Sequence, residues 1–273
     1  MDKFRVIDLF AGCGGLSLGL YLAGWSGVFA IEKNPCAYAT LCHNLIENKN
    51  HFNWPDWLPQ QPLDILEVNK LYAEQLKSLR GTIDLVAGGP PCQGFSMAGR
   101  RVKDDIRNQL VFAYMNFISM VMPKLHLFEN VKGFTYAFDK KKNPSSIPYS
   151  TNVIEKLKGL GYDVCPQVID FSQFGVPQRR KRFILVGILN GKKDAAGQFI
   201  TRLWKNREQF FLENNLPKHP SIADAISDLL RSNGEVDTPD RKGFKSGIYG
   251  NPSNEYQVYM RKNVQGIIPQ SHS

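Results

Sequence analysis

FRVIDLFAGCGGLSLGLYLAGW, residues 4–25, decides the fold. Its opening, FRVIDLF (4–10), is apolar and partly β-branched, which predicts a buried strand. From Gly14 the period changes, and Leu16, Leu20 and Ala23 fall along one side of a helix. Between the two lies DLFAGCGG (8–15), a glycine-rich turn. Such a turn lets a ligand approach the backbone, and the helix start offers free N–H groups. A dinucleotide turn requires G-x-G-x-x-G. Here Gly12 and Gly14 fit, but Ser17 stands where the third glycine belongs. That weighs against NAD and for a nucleoside ligand without a pyrophosphate.

Working outward, GVFAIE (27–32) reads as a second strand, and Glu32 at its end is placed to accept hydrogen bonds from ribose hydroxyls. Asn34 caps a helix whose first residue is Pro35, with Tyr38, Leu41, Cys42 and Leu45 on one face, so Cys42 is expected in the core. Asp64, in PLDIL, is expected at the end of a third strand, where it would read an adenine amino group. TIDLVAGG (82–89) and KLHLFENV (124–131) read as buried strands, with a helix over Asn108–Met122 between them. GYDVCPQVID (161–170) and RFILVGIL (182–189) suggest a hairpin. Strands alternating with helices predict an α/β fold with a mostly parallel, doubly wound sheet closed by a C-terminal antiparallel hairpin. Beyond about residue 195 the pattern dissolves into Asn, Pro, Gly and charge, leaving one clear helix at SIADAISDLL (221–230).

Composition narrows the classes. The chain has 273 residues, enough to bury a full core. No apolar run of roughly 20 residues and no signal-like start occur, so no membrane span is expected and a cytoplasmic location is. The five cysteines, Cys13, Cys36, Cys42, Cys92 and Cys165, are odd in number and lack zinc-site or disulfide spacing, so reduced thiols are expected and no metal. Lys and Arg number 34 against 25 Asp and Glu, a net +9 that favours polyanionic partners. Basic residues gather at Arg100–Arg107 and in PQRRKR (177–182).

The second chemical feature is GGPPCQGFS (88–96). It follows a strand's carboxyl end, where doubly wound sheets bind ligands. Pro90 and Pro91 stiffen the approach to Cys92, while Gly89 and Gly94 permit sharp bends. A thiol held this way can be aimed. Glu129, in ENV, would lie beside that loop if the two strands are neighbours. In GVPQRRKRFILVG (175–187), alternation puts Gln178, Arg180 and Arg182 on one side of an incoming strand.

Together, DLFAGCGGLSLGL, GGPPCQGFS, FENV and FGVPQRRKRFILVG resemble the cytosine-5 DNA methyltransferases, over residues 4–190. The resemblance implies a Rossmann-like S-adenosylmethionine-dependent methyltransferase fold, with S-adenosylhomocysteine as the product. Phe10, Ala11, Gly12, Gly14, Gly15 and Leu16 then match positions enclosing the methionine end. Glu32 matches the ribose position, Asp64 and Ile65 flank the adenine, and Pro90 and Leu110 are further contacts. Cys92 is implied as the nucleophile, adding to carbon 6 of a cytosine flipped from double-stranded DNA. Glu129 would hydrogen-bond ring nitrogen 3, with Arg180 beside Glu129 and the base oxygen, and Arg182 completing the catalytic group. Ser96–Arg107 would be a mobile lid.

The same resemblance divides the chain into a catalytic and cofactor-binding domain, 1–190, and the start of a variable region, 191–273. MRKNVQGIIPQSHS (260–273) resembles the approach to a target-recognition region. A shortened polypeptide, or the larger chain of a split enzyme needing a second chain, is therefore expected. A bacterial restriction-modification methylase, nucleoid-associated when on DNA, fits better than a regulatory eukaryotic enzyme. An RNA cytosine-5 methyltransferase on the same scaffold stays open, although Ser96 suits the DNA enzymes.

Overall fold

The computed structural model describes residues 3–91, 108–136, 147–238, 242–262 and 271–272. It divides into two compact units, Met1–Ile169 with Arg182–Ile200, and Asp170–Lys181 with Thr201–Ser273.

In chain order the elements are β1 (Arg5–Leu9), α1 (Gly15–Leu22), β2 (Ser26–Ile31), α2 (Pro35–Leu41), α3 (Ile65–Leu71), α4 (Ala73–Ser78), β3 (Leu85–Gly88), α5 (Asn108–Val121), β4 (Leu125–Val131), α6 (Tyr149–Gly159), β5 (Tyr162–Asp170), β6 (Lys181–Leu189), α7 (Ala195–Glu213), α8 (Ile222–Ile226), β7 (Glu235–Asp237), β8 (Lys245–Ile248), α9 (Glu255–Lys262) and β9 (Ser271–His272). A six-stranded sheet runs β2-β1-β3-β4-β6-β5. β1 pairs in parallel with β2 and β3, and β3 with β4, whereas β6 lies antiparallel to β4. This is the Rossmann-like, mostly parallel sheet that the alternating pattern predicts.

Strand alternation sorts the core into two layers. Ile7 and Leu9 of β1, Val86 of β3 and Phe128 of β4 join one large cluster with Val68, Leu76, Phe117 and Leu157 from α3 to α6. The intervening Val6, Leu85 and Ala87 face the other way, against Leu20 of α1 and Trp25. With both faces covered, the central strands are apolar almost throughout. Full burial of each large side chain stabilises the fold by about 1.5–3 kcal/mol.

The chain passes from β5 to β6 through a turn in which Asp170 Oδ1 accepts the Ser172 N–H and hydroxyl at 3.2 and 2.8 Å. Gly175 takes a left-handed φ of 75°, and the Phe171 N–H closes on the Arg180 carbonyl at 3.0 Å. The second unit also holds a three-stranded antiparallel sheet, β7-β8-β9, and the short helix α8. A reciprocal capping box between Ser221 and Asp224 starts that helix.

Three expectations are corrected. Asp64 does not end a strand: residues 53–64 carry none, and Asp64 instead caps α3, accepting the Leu66 N–H at 2.9 Å. Cys42 is only half-buried, since α2 gives way at that residue to a π-helical turn, Cys42–Glu47, where its thiol meets Glu47 at 3.6 Å. Cys42 lies beside the buried stripe formed by Tyr38, Leu41 and Leu45. Beyond residue 195 the chain is not irregular. α7 runs for 19 residues there, while the helix expected over 221–230 stops at Ile226 and continues as a 3₁₀ turn, Ser227–Leu229. Among the described residues Cys13, Cys36, Cys42 and Cys165 are free thiols, and no helix is long and apolar enough to cross a membrane.

Candidate active site

The turn between β1 and α1 is held by backbone conformation. Phe10, Gly12 and Gly14 all have positive φ, at 59°, 57° and 88°. For Phe10 that conformation costs roughly 1–2 kcal/mol, so the surrounding bonds must hold it. The Ala11 N–H reaches the Ile31 carbonyl at 3.0 Å, and the Gly14 N–H returns to the Ala11 carbonyl at 2.9 Å. A side chain at Gly14 would stand 2.7 Å from the Leu45 tip, whereas Gly12 and Gly15 face open space. The turn is packed on one side and open on the other.

Glu32, just past β2, locks this turn. One carboxylate oxygen accepts the Gly12 N–H at 2.8 Å and the other the Asn34 N–H at 2.7 Å. The Gly12 donor is therefore engaged within the protein, while each Glu32 oxygen keeps a free lone pair. The Glu32 carbonyl accepts the Leu63 N–H at 2.8 Å, which brings Asp64 to the same corner. Asp64 meets the Lys33 ammonium at 2.6 Å. Burial works to raise the Asp64 pKa, but the Lys33 and Leu66 hydrogen bonds outweigh it and hold the group below its usual value. Ile65 is buried beside it, and Leu16 is half-exposed at the helix start.

Sequence reasoning missed the base of the turn. Asp8 is fully buried in β1, and the Ser17 hydroxyl donates to its Oδ2 at 2.5 Å. Burial raises this carboxyl to a pKa of about 7. Ser17, the residue that breaks the dinucleotide pattern, thus ties α1 to β1 across the turn. An acid flanked by apolar residues within a strand was the only signal available.

At the end of β3 the constraint is clearance. A side chain at Gly88 would meet the Leu9 carbonyl at 2.8 Å, and one at Gly89 would meet Glu129 Oε2 at 2.8 Å. Pro90 is buried, and its carbonyl accepts the Asn130 amide at 3.3 Å. Glu129 and Asn130 on β4 therefore sit against the loop leading to Cys92, as neighbouring strands require. Cys92 itself, and the lid expected over Ser96–Arg107, lie outside the described residues. Leu110 on α5 is partly buried against the main core.

Among the described residues, the Glu129 carboxylate is paired with an arginine. Arg182 Nε reaches Oε1 at 2.8 Å, with the two side chains 18% and 30% exposed respectively. Arg182 faces Val131 across the β4–β6 ladder, so it is the diagonal neighbour of Glu129. Arg182 is thus placed beside Glu129 by the strand ladder, while the Arg180 side chain is exposed. The arrangement provides a carboxylate of fixed orientation next to a stiff loop, a short way along the sheet edge from the open glycine turn.

Comparison with known proteins gives this architecture a context. The family model for C-5 cytosine-specific DNA methylases matches residues 4–268. The type II methyltransferase M.XorII of Xanthomonas oryzae pv. oryzae is 33% identical over 267 residues, covering 93% of this chain and 53% of that protein. M.AquIA of Picosynechococcus sp., also a type II methyltransferase, is 35% identical over 198 residues, covering 70% of this chain and 74% of the relative. The chain spans about half the length of M.XorII and of M.DdeI from Desulfomicrobium norvegicum. A crystal structure of an E. coli prophage-encoded protein, described as a DNA modification methyltransferase, aligns with TM-score 0.58 and 26% identity over 89% of this chain and 62% of that one. The Dnmt2 methyltransferase of S. pombe shares the fold at TM-score 0.52 and 24% identity, covering 74% and 54%.

Proposed function

We propose, from the premise that this chain belongs to the C-5 cytosine-specific DNA methylase family, that it transfers a methyl group to carbon 5 of a cytosine in double-stranded DNA. The observation that carries the reading is the Glu129–Arg182 pair set against Gly89, at the entrance to the loop holding Cys92.

S-adenosylmethionine, when bound, supplies an electrophilic methyl group. The open faces of Gly12 and Gly15 and the free lone pairs of Glu32 suit that ligand. In this reading Phe10, Ala11, Gly12, Gly14, Gly15 and Leu16 surround its methionine end, Glu32 its ribose, and Asp64 and Ile65 its adenine, with Pro90 and Leu110 as further contacts.

Carbon 5 of cytosine is a weak nucleophile inside an aromatic ring. The Cys92 thiolate adds to carbon 6, breaking aromaticity and forming a carbon–sulfur bond, which makes carbon 5 nucleophilic. Negative charge develops toward ring nitrogen 3, where Glu129 hydrogen-bonds or delivers a proton. Arg182 keeps that carboxylate oriented, and Arg180 is assigned to the base oxygen. After methylation, water removes the carbon 5 proton, the carbon–sulfur bond breaks, and the thiolate is restored. A stacked duplex blocks this approach, so the cytosine is flipped out.

Incubation with methyl-labelled S-adenosylmethionine and duplex DNA tests the proposal. Label is expected in DNA with the natural chain and absent with Cys92→Ser, which keeps cofactor binding by calorimetry. Duplex containing 5-fluorocytosine is expected to trap a covalent adduct at Cys92. Label entering transfer RNA instead of duplex, or an adduct that persists without Cys92, would overturn the reading. Activity that emerges only on adding a second polypeptide would mark the chain as the larger part of a split enzyme.

A further inference from the structure

We propose that the cavity lined by residues 176–179 and 219–222 of the second unit seats a backbone phosphate of double-stranded DNA. The inference rests on the reading of the chain as a DNA methylase, and it concerns residues to which that chemistry gives no role.

The cavity has a volume of about 670 Å³. Val176, Pro177, Pro220 and Ile222 form its apolar walls. Two prolines with fixed φ make it largely preformed, so little entropy is lost on filling it. Arg179 and His219 line it together with Gln178, while the lining Ser172 and Ser221 hydroxyls donate to Asp170 and Asp224. Among the described residues, neither the Arg179 nor the His219 side chain has a hydrogen-bond or ion-pair partner. A guanidinium without an acid, beside an imidazole that offers an N–H in either protonation state, is an incomplete electrostatic arrangement that an anion completes.

Carboxylates close by in sequence do not supply that anion. Asp170 accepts both Ser172 donors, and Asp224 Oδ2 accepts the Ser221 N–H and hydroxyl at 2.8 and 2.7 Å. The cavity is far larger than a phosphate group, and its apolar walls suit the sugar next to a phosphodiester. A net charge of +9 favours a polyanion over a small anion.

Fluorescence anisotropy of the full chain with a short labelled duplex, at several salt concentrations, tests this. The Arg179→Gln/His219→Gln double variant is expected to bind about tenfold more weakly near 0.1 M salt, with the salt slope reduced by about 1–2. Lys193→Gln, an exposed charge change in the other unit, should do less. Ile222→Trp removes no charge but fills the cavity, and it should also weaken binding several-fold. Thermal unfolding and circular dichroism show whether each variant is folded. If both cavity variants, folded, bind duplex as the natural chain does, the proposal is overturned and the methylase reading stands. If the natural chain itself fails to bind duplex, the methylase reading falls with it. If a mononucleotide competes as well as duplex, the cavity is a small-anion site and the backbone assignment is overturned.

Discussion

The glycine turn after β1 and the glycine pair closing β3 are neighbours, since Leu9 pairs with Gly88 in register, yet different physics demands glycine in each. In the first, Gly12 and Gly14 have positive φ, and their N–H groups are bonded to Glu32 and Ala11. In the second, neither Gly88 nor Gly89 has a positive φ, and what matters is the missing side chain, because Leu9 and Glu129 stand where it would go. One stretch shapes the backbone and leaves a surface open beside it. The other brings a loop against the Glu129 carboxylate. Composition alone does not separate these uses, although a substitution does.

The largest expected effect falls on the second stretch. Glu129→Gln keeps the size of the side chain and removes its charge, so folding and cofactor affinity should hold while turnover drops by about 10²–10⁴-fold. Methyl transfer at saturating cofactor reads this, and turnover within tenfold of the natural chain would remove Glu129 from the chemistry. Next come the glycines. Gly14→Ala meets both a positive φ and the Leu45 side chain, so a loss of about 3 kcal/mol is expected. Gly89→Ala meets only the far end of Glu129, which can swing aside, so about 1 kcal/mol is expected, with turnover falling more than stability. Urea unfolding of the two variants ranks them. Equal stability costs would mean that the two stretches are glycine for the same reason.

Much of the fold around the two stretches is legible in the sequence alone, although the reason for glycine in each is not. The strands were found because their apolar runs are continuous, and the glycine turn because the period changes at Gly14. Asp64 misled because PLDIL is apolar on both sides of the acid, and a helix cap won over a strand end. α7 was missed for a nonlocal reason. The Asp163 carboxylate, on β5, caps its start by accepting the Ala196 N–H at 2.8 Å, and no local motif announces that bond. The alternation of Arg180 and Arg182 was readable, but which of them meets Glu129 depends on the β4–β6 register. Asn130 had no signal either, because its role is to bind the Pro90 carbonyl across the sheet. Local pattern fixes elements, whereas pairing between distant elements fixes which atoms meet.

The smallest expected effect sharpens the comparison through pH. Asp8 lies under the first stretch, facing Ser17 and near the Glu32 charge, and burial lifts its pKa to about 7, above the roughly 3.9 of an unfolded aspartate. Between those values the folded chain holds a proton that the unfolded chain has released. Stability from this group is therefore complete at acid pH and is lost as pH rises from about 4 to about 7. Buried His51 and His126 act in the opposite sense. Burial lowers their pKa values to about 4 and about 3, so their contribution is full above roughly 6.5 and lost in acid. The difference between the natural chain and Asp8→Asn isolates Asp8, because the histidines cancel. Asparagine mimics the neutral carboxyl and still accepts from Ser17. Relative to the natural chain, Asp8→Asn should gain about 2 kcal/mol between pH 5 and pH 8, measured by urea unfolding at each pH. A difference that stays flat over that range would mean that Asp8 is ionised in the folded chain, and that the first stretch rests on a charged base rather than on a protonated one.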